Sequence, residues 1–312
     1  MELLFATGNQ MIYLFAFILI GYILAKTGLL PDNTTKVLSV FESNVFIPVL
    51  VMGTFMGNFT VEKLKTTGVL FGAGFAVMAV TIPLALLISK WITKDRDTQN
   101  ICAYGLAFPN FAYMGNAVVM ALFPDVFVDY LIFTLPLWMG IYLWGAPALL
   151  MPEAEKRSVW SKLKKLLNPM VVGMLIGMLI GLLKVPVPSA LGSVIGALGA
   201  CMSPVAMLLT GVTVASIGLK SAFTDRVVYL TTAVRLLLIP LAFLGLFALW
   251  NPSDTIVICV ICALAMPLGL NTIVIPSAYG KDTTKATGMA VVSHLFSCLT
   301  IPLIFWLLQK IL

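Results

Sequence analysis

The sequence predicts an all-α polytopic membrane protein, with ten transmembrane helices arranged as two inverted five-helix repeats. Three observations point there. Of 312 residues, 60% are hydrophobic and only 10% are charged, with a mean hydropathy of +1.04, whereas a soluble domain carries about 25% charged residues. Ten apolar runs follow one another with short connections between them. Prolines inside those runs recur at an offset close to half the chain. The composition excludes a soluble enzyme, a nucleic-acid-binding protein and a disordered scaffold.

The runs cover residues 10–26, 37–57, 67–89, 100–123, 128–151, 168–183, 190–217, 226–250, 255–279 and 286–310. Most reach the ~20 residues that cross a ~30 Å hydrocarbon core; the sixth is short and Gly-rich. The runs are continuous and do not alternate, which argues against barrel strands. Charge gives the orientation. Lys26, Lys36, Lys90, Lys94, Arg96, Lys156, Arg157, Lys162, Lys164, Lys165, Lys220, Arg226, Lys281 and Lys285 all fall on one side. Only Lys63, Lys65, Lys184 and Lys310 fall on the other. The positive-inside rule places the first group in the cytoplasm and both termini outside. The net charge of +6 is therefore a topology signal and implies no nucleic-acid partner. Glu2 and the absence of an early Lys or Arg do not match a signal peptide's basic start, so span 1 is expected to persist. Cys102, Cys201, Cys259, Cys262 and Cys298 all lie in spans, where free Cys acts as a small hydrophobe. Cys259 and Cys262 lack further ligands nearby, so neither metal nor cofactor is expected.

The repeat is carried by paired positions. Pro48 matches Pro204, Pro83 matches Pro240, Pro109 matches Pro267 and Asp125 matches Asp282, at offsets of 156, 157, 158 and 157 residues. One such pair means little, because Pro is tolerated in membrane helices; four at one offset indicate a duplication. Five spans per half is an odd number, so the second half enters the membrane from the opposite side. The expected units are residues 1–151, a basic cytoplasmic linker at 152–167, and residues 168–312. Inverted repeats with interrupted helices are typical of secondary transporters.

Spans 4 and 9 carry the expected interruptions. Pro109 and Pro267 lie midway along their spans, and a Pro lacks an N–H and clashes with the preceding turn. The second half of each helix would then begin near the bilayer midplane with unpaired N–H groups and a positive dipole end. Two such ends facing one point make an anion site. The expected lining is Pro109, Asn110, Phe111, Asn116, Pro267, Gly269, Asn271 and Thr272, whose amides and hydroxyl can bind a carboxylate without a buried charge. Arg235, deep in span 8, either adds positive charge there or pairs structurally. Glu42 in span 2 and His294 in span 10, the only histidine, are candidates for ion coupling, His294 because imidazole titrates near neutral pH. Pro48 and Pro204, with Ser43, Asn44, Ser203, Thr210 and Thr213 around them, are read as scaffold or hinge positions.

These residues resemble the auxin efflux carrier family, which includes bacterial malate- and malonate-permease-like proteins and plant auxin carriers. The resemblance covers essentially the whole chain. It rests on Phe46-Ile47-Pro48, Pro109-Asn110 with Gly115, Asn168-Pro169, Arg235 before Pro240, Met266-Pro267, Tyr279-Gly280-Lys281-Asp282 and Pro302. It implies helices 4 and 9 crossing at their prolines, a homodimer, and elevator-type movement of a transport part against a scaffold. In the plant carriers the Asn after the span-4 Pro contacts the substrate carboxylate, and Asn110 matches that position. Glu42 departs from the family, whose members more often carry an apolar residue there. The short basic central loop resembles the bacterial members. The expectation is a secondary transporter of a small mono- or dicarboxylate in the plasma membrane, driven by the anion's own gradient, H⁺ or Na⁺. A sodium-coupled symporter of the bile-acid type and a non-transporting membrane receptor are the alternatives; an enzyme is not expected.

Overall fold

A computed structural model describes residues 2–151, 167–215 and 225–312. The expected linker at 152–167 lies almost wholly outside the described residues, as does Lys220. The described chain is helical, and its one strand-like pairing is a single bridge between Pro109 and Leu268.

Seven helices among the described residues are long and apolar enough to cross a membrane. They are α1 (Glu2–Lys26), α2 (Thr34–Asn58), α3 (Val61–Ile92), α6 (Pro124–Leu150), α8 (Ser189–Ala215), α9 (Arg226–Trp250) and α12 (Thr284–Leu308). The other three expected spans are shorter or interrupted. Span 4 is divided into α4 (Arg96–Ala107) and α5 (Phe111–Leu122). Span 6 is α7 (Pro169–Leu183), 15 residues long, which covers about 22 Å at 1.5 Å per residue. Span 9 is divided into α10 (Asp254–Leu264) and α11 (Asn271–Ala278).

Helix starts follow local capping chemistry. Thr60 accepts from the Lys63 N–H at 3.3 Å, so α3 begins at Val61, ahead of the apolar run that begins at 67. Asp95 caps α4 by accepting from the Thr98 N–H at 3.0 Å. Asn168 caps α7 through Val171 N–H at 3.1 Å, and Pro169 follows at the first helical position, where its missing N–H is harmless. Pro48 and Pro240 sit inside long helices, and both are preceded by a widened turn, Glu42–Phe46 and Val234–Leu238. In each the N–H before the proline donates five residues back, from Ile47 to Glu42 and from Ile239 to Val234. The extra residue accommodates the ring, which would otherwise strike the carbonyl four residues earlier.

Packing is close where glycines face backbone. A Cβ on Gly173 would stand 2.5 Å from the Pro48 carbonyl oxygen, and one on Gly177 2.4 Å from that of Met52, so α7 lies directly on α2. Gly21 and Gly211 bring α1 and α8 together in the same way. Small residues at helix contacts are how helices associate in lipid, where no hydrophobic force separates protein from solvent.

Burial separates inner from outer helices. The halves of α4, α5 and α10 next to the breaks are buried, at 101–107, 111–119 apart from Tyr113, and 257–264, whereas α1, α2, α3 and α7 expose large apolar side chains such as Ile12, Val40, Val69, Leu87 and Leu179. The interrupted helices thus form the centre. One ionic pair went unread in the sequence: Asp129, buried on α6, is paired with Lys63 on α3.

Candidate binding site at the two helix breaks

The α4 helix ends at Ala107 because Pro109 excludes Phe108 from helical backbone; Phe108 has φ −122 and ψ 89. The second interruption runs from Ala265 to Leu270, between α10 and α11. The breaks satisfy one another. Asn110 N–H donates to the Pro267 carbonyl at 2.8 Å, next to the Pro109–Leu268 bridge. Leu268 N–H donates to Ser293 Oγ of α12 at 3.1 Å. Irregular backbone at such depth survives only where its polar groups find partners like these.

Arg235 closes the other side of the junction. Its guanidinium donates to the Leu106 carbonyl at 2.7 Å and to the Leu264 carbonyl. Leu106 stands three residues before Pro109 and Leu264 three before Pro267, so one cation binds equivalent carbonyls in the last turns of α4 and α10. Those ends carry the negative pole of the helix dipole. Arg235 is fully buried and does not line the cavity described next.

A cavity of about 270 Å³ opens beside the breaks. Of the expected residues, Pro109, Asn110, Phe111, Gly269 and Asn271 line it. Asn116, Thr272 and Pro267 do not. Thr272 Oγ1 donates to the Gly269 carbonyl at 2.8 Å, Asn116 is buried within α5, and Pro267 contributes its carbonyl to Asn110. Ser43 and Asn44 join the lining from the widened turn of α2, and Asn168 from the start of α7. Pro48 is buried under α7, and Pro204 follows a bend at Cys201 in α8; neither reaches the cavity.

Much of the lining is aromatic, which sequence reasoning missed apart from Phe111. Tyr104, Phe108, Tyr113, Trp138 and Tyr142 contribute. Trp138 meets Phe111 edge to face at 5.6 Å and stacks on Tyr142 at 5.8 Å. The only sequence signal is the aromatic density of 104–113 and 138–144, which lipid-facing residues also display. No lining residue carries a fixed charge.

Positive potential comes from backbone. Gly115 N–H donates to the Asn110 carbonyl at 3.0 Å, so the N–H groups of residues 111–114 precede the first bond of α5 and are open. Gly115 also lets Tyr130 approach; a Cβ there would be 2.2 Å from the Tyr130 hydroxyl, which donates to the Phe111 carbonyl at 2.9 Å. In α11 the first bonds are tighter, from Thr272 and Ile273 N–H to the Gly269 and Leu270 carbonyls, and the N–H groups of 269–271 precede them. Asn271 Nδ2 donates to Tyr104 Oη at 3.2 Å.

Glu42 is buried beside the cavity without lining it, and neither carboxyl oxygen has a hydrogen-bond partner among the described residues. His294 lies behind Asn110, with Nε2 3.2 Å from Asn110 Nδ2 and Nδ1 2.7 Å from the Ala290 carbonyl. At the ends of the interrupted spans, the Thr98 and Thr284 hydroxyl and N–H groups hold the Asp95 and Asp282 carboxyls below their ordinary range.

Buried, interrupted helices around a small amphipathic cavity define a multi-pass α-helical membrane protein with a cavity at its centre. The family described as membrane transport protein matches residues 7–305, and the chain belongs to that auxin efflux carrier/membrane transport family. No curated protein matches the chain.

Proposed function

We propose that this membrane transporter is a secondary carrier of a small organic anion, a mono- or dicarboxylate, held at the junction of the two breaks. The observation that carries the reading is the company of the open N–H groups of the lining residues 111–113 with the Asn110 amide, in a cavity whose described lining has no charged side chain. A helix N-terminus favours negative charge and donates directly to it. A carboxylate bound there would place its apolar remainder against Phe111, Trp138 and Tyr142. A cavity of about 270 Å³ is just below the range typical of drug-sized ligands, which suits a small acid.

The matched prolines and the matched interruptions support two inverted repeats, 1–151 and 168–312, whose fourth helices cross at the breaks. Elevator-type movement of the central helices against the outer ones is the corresponding route of alternating access. The carrier is placed in the plasma membrane as a homodimer, with both termini on the non-cytoplasmic side. Arg235 serves here as a staple that holds the two crossing helices together.

The test is a thermal-shift and binding screen with malonate, L-malate, succinate and indole-3-acetate. At least one acid is expected to stabilise the wild type. Asn110→Ala and Asn110→Asp are expected to weaken that binding, and proteoliposome uptake with it. Unchanged affinity in both variants would remove the site from the breaks.

A further inference from the structure

We propose that His294 binds the proton that accompanies the anion, and that the side chain of Asn110 is the coupling element. The proposal rests on the carboxylate reading above and adds to it an ion, a residue and a stoichiometry.

The hydrogen bonds fix the state of the ring. A backbone carbonyl can only accept, so the 2.7 Å contact with the Ala290 carbonyl places a hydrogen on His294 Nδ1. In the neutral ring, Nε2 then carries a lone pair. Asn110 Nδ2, 3.2 Å away, donates to it. Asn110 Oδ1 is left without a partner among the described residues, on a residue that lines the cavity. A carboxylate approaching this form meets a carbonyl oxygen of the same polarity as itself.

Protonation inverts the arrangement. With a proton on Nε2, both ring nitrogens donate. Asn110 must then offer Oδ1 to the ring, which takes a turn of its carboxamide about the terminal torsion, a soft rotation. Both amide hydrogens leave the histidine and become free for an anion in the cavity. The proton enters from water at Nε2 and leaves from the same atom, and no other bond changes. The neutral ring therefore disfavours the carboxylate, and the charged ring favours it.

Charge balance points the same way. The cavity lining holds no cation, and Arg235 is committed to the Leu106 and Leu264 carbonyls. His294 touches Asn110 and the Ala290 carbonyl, and borders an apolar groove with Phe15, Tyr22, Thr210 and Val291. The titratable groups on the packed elements are Glu2, Tyr13, Tyr22 and Lys26 on α1, Arg226, Tyr229 and Arg235 on α9, Arg96, Asp97, Cys102 and Tyr104 on α4, which meets α12 at Met289, and Lys285 and Cys298 on α12 itself. Further off, Lys285 of α12 pairs with Asp225. Among the described residues the ring's hydrogen-bond partners are Asn110 and the Ala290 carbonyl and include no carboxylate, so the counter-charge for the imidazolium is the transported anion. One proton accompanies one anion, so a monocarboxylate crosses as a neutral pair and a dicarboxylate with a single negative charge.

The wild type decides this directly, because the chain has one histidine and tag-free, ¹⁵N-histidine-labelled protein gives a single imidazole. The probes are malonate and indole-3-acetate. At about pH 7 the free protein should show the Nδ1–H tautomer, and the bound protein an imidazolium with uptake of one proton. Across about pH 7 to 8.5, where carboxylates stay ionised, the dissociation constant should rise about tenfold per pH unit. His294→Gln should abolish the proton uptake and the pH slope, and any uptake into liposomes that remains should lose its response to an inward proton gradient. If neither probe binds the wild type, the carboxylate reading fails and this inference fails with it. Binding to a ring that stays neutral, or proton uptake retained in His294→Gln, overturns the inference alone.

Discussion

The two interrupted spans break at matching prolines, yet their ends are wired differently. On the C-terminal side of the first half-helices they are equals: Leu106 and Leu264 share the Arg235 guanidinium. On the N-terminal side they part. The α5 start leaves the four N–H groups of 111–114 ahead of its first bond to the Asn110 carbonyl, whereas α11 begins in tighter turns through the Gly269 and Leu270 carbonyls and leaves only the three of 269–271. Asn110 reaches across to His294, while Asn271 stays with Tyr104. The two breaks thus share one mechanical joint, the Arg235 guanidinium, and differ in how their second half-helices begin and in the partners of Asn110 and Asn271.

The largest effect should come from breaking what the two ends share. Arg235→Lys keeps the charge but cannot span both carbonyls. Charge-assisted bonds contribute about 1.5–3 kcal/mol each, so a loss of about 2–3 kcal/mol is expected, seen as a lower melting temperature of purified protein. A melt equal to wild type would show that the staple does not hold the junction.

The next comparison separates the unequal ends. Asn110→Ala should weaken carboxylate binding about 10- to 100-fold, the range of a hydrogen bond to a charged group, and Asn271→Ala by less than about tenfold. Equal losses by calorimetry would mean that the breaks contribute alike. Glycines sharpen the point further. Gly115→Ala forces a Cβ against the Tyr130 hydroxyl at 2.2 Å, whereas one at Gly269 meets only ordinary contacts at 3.6 Å. The first should cost about 1–3 kcal/mol and the second no more than about 0.5 kcal/mol, compared by thermal unfolding.

The smallest effect lies at the outer ends. Asp95 caps α4, while Ser253 makes no side-chain cap on α10. Asp95→Ala should cost about 0.5–1 kcal/mol, and Ser253→Ala less. The Asp95 carboxyl is held low by Thr98, so its contribution is full above the unfolded value near about 4 and fades as pH falls through the folded value. Melts of wild type and Asp95→Ala should therefore converge in acid.

Much of the centre was legible because proline and periodic apolar runs act locally. Pro109 alone ends α4 and excludes Phe108 from helix, and Asn110, Phe111, Gly269 and Asn271 followed from that break. Asn116 and Thr272 were credited to the cavity on proximity in sequence, but helix geometry turns them inward, where Thr272 serves the Gly269 carbonyl. Trp138 and Tyr142 were not readable as a wall, because an aromatic facing lipid and one facing a cavity have the same sequence signature. The Lys63–Asp129 pair escaped notice because charges at span ends are normally assigned to water.

What the sequence determined by itself is the class of structure and the place of its weak points. Low charge and continuous apolar runs require a lipid-embedded helical bundle, because backbone in hydrocarbon must bond to itself. Only the tertiary structure decided how the freed groups are used. Arg235 lies 129 residues from Leu106 and 29 from Leu264, and His294 lies 184 from Asn110. Partnerships at such separations depend on which helix faces pack together, and composition and spacing along one chain carry no record of that.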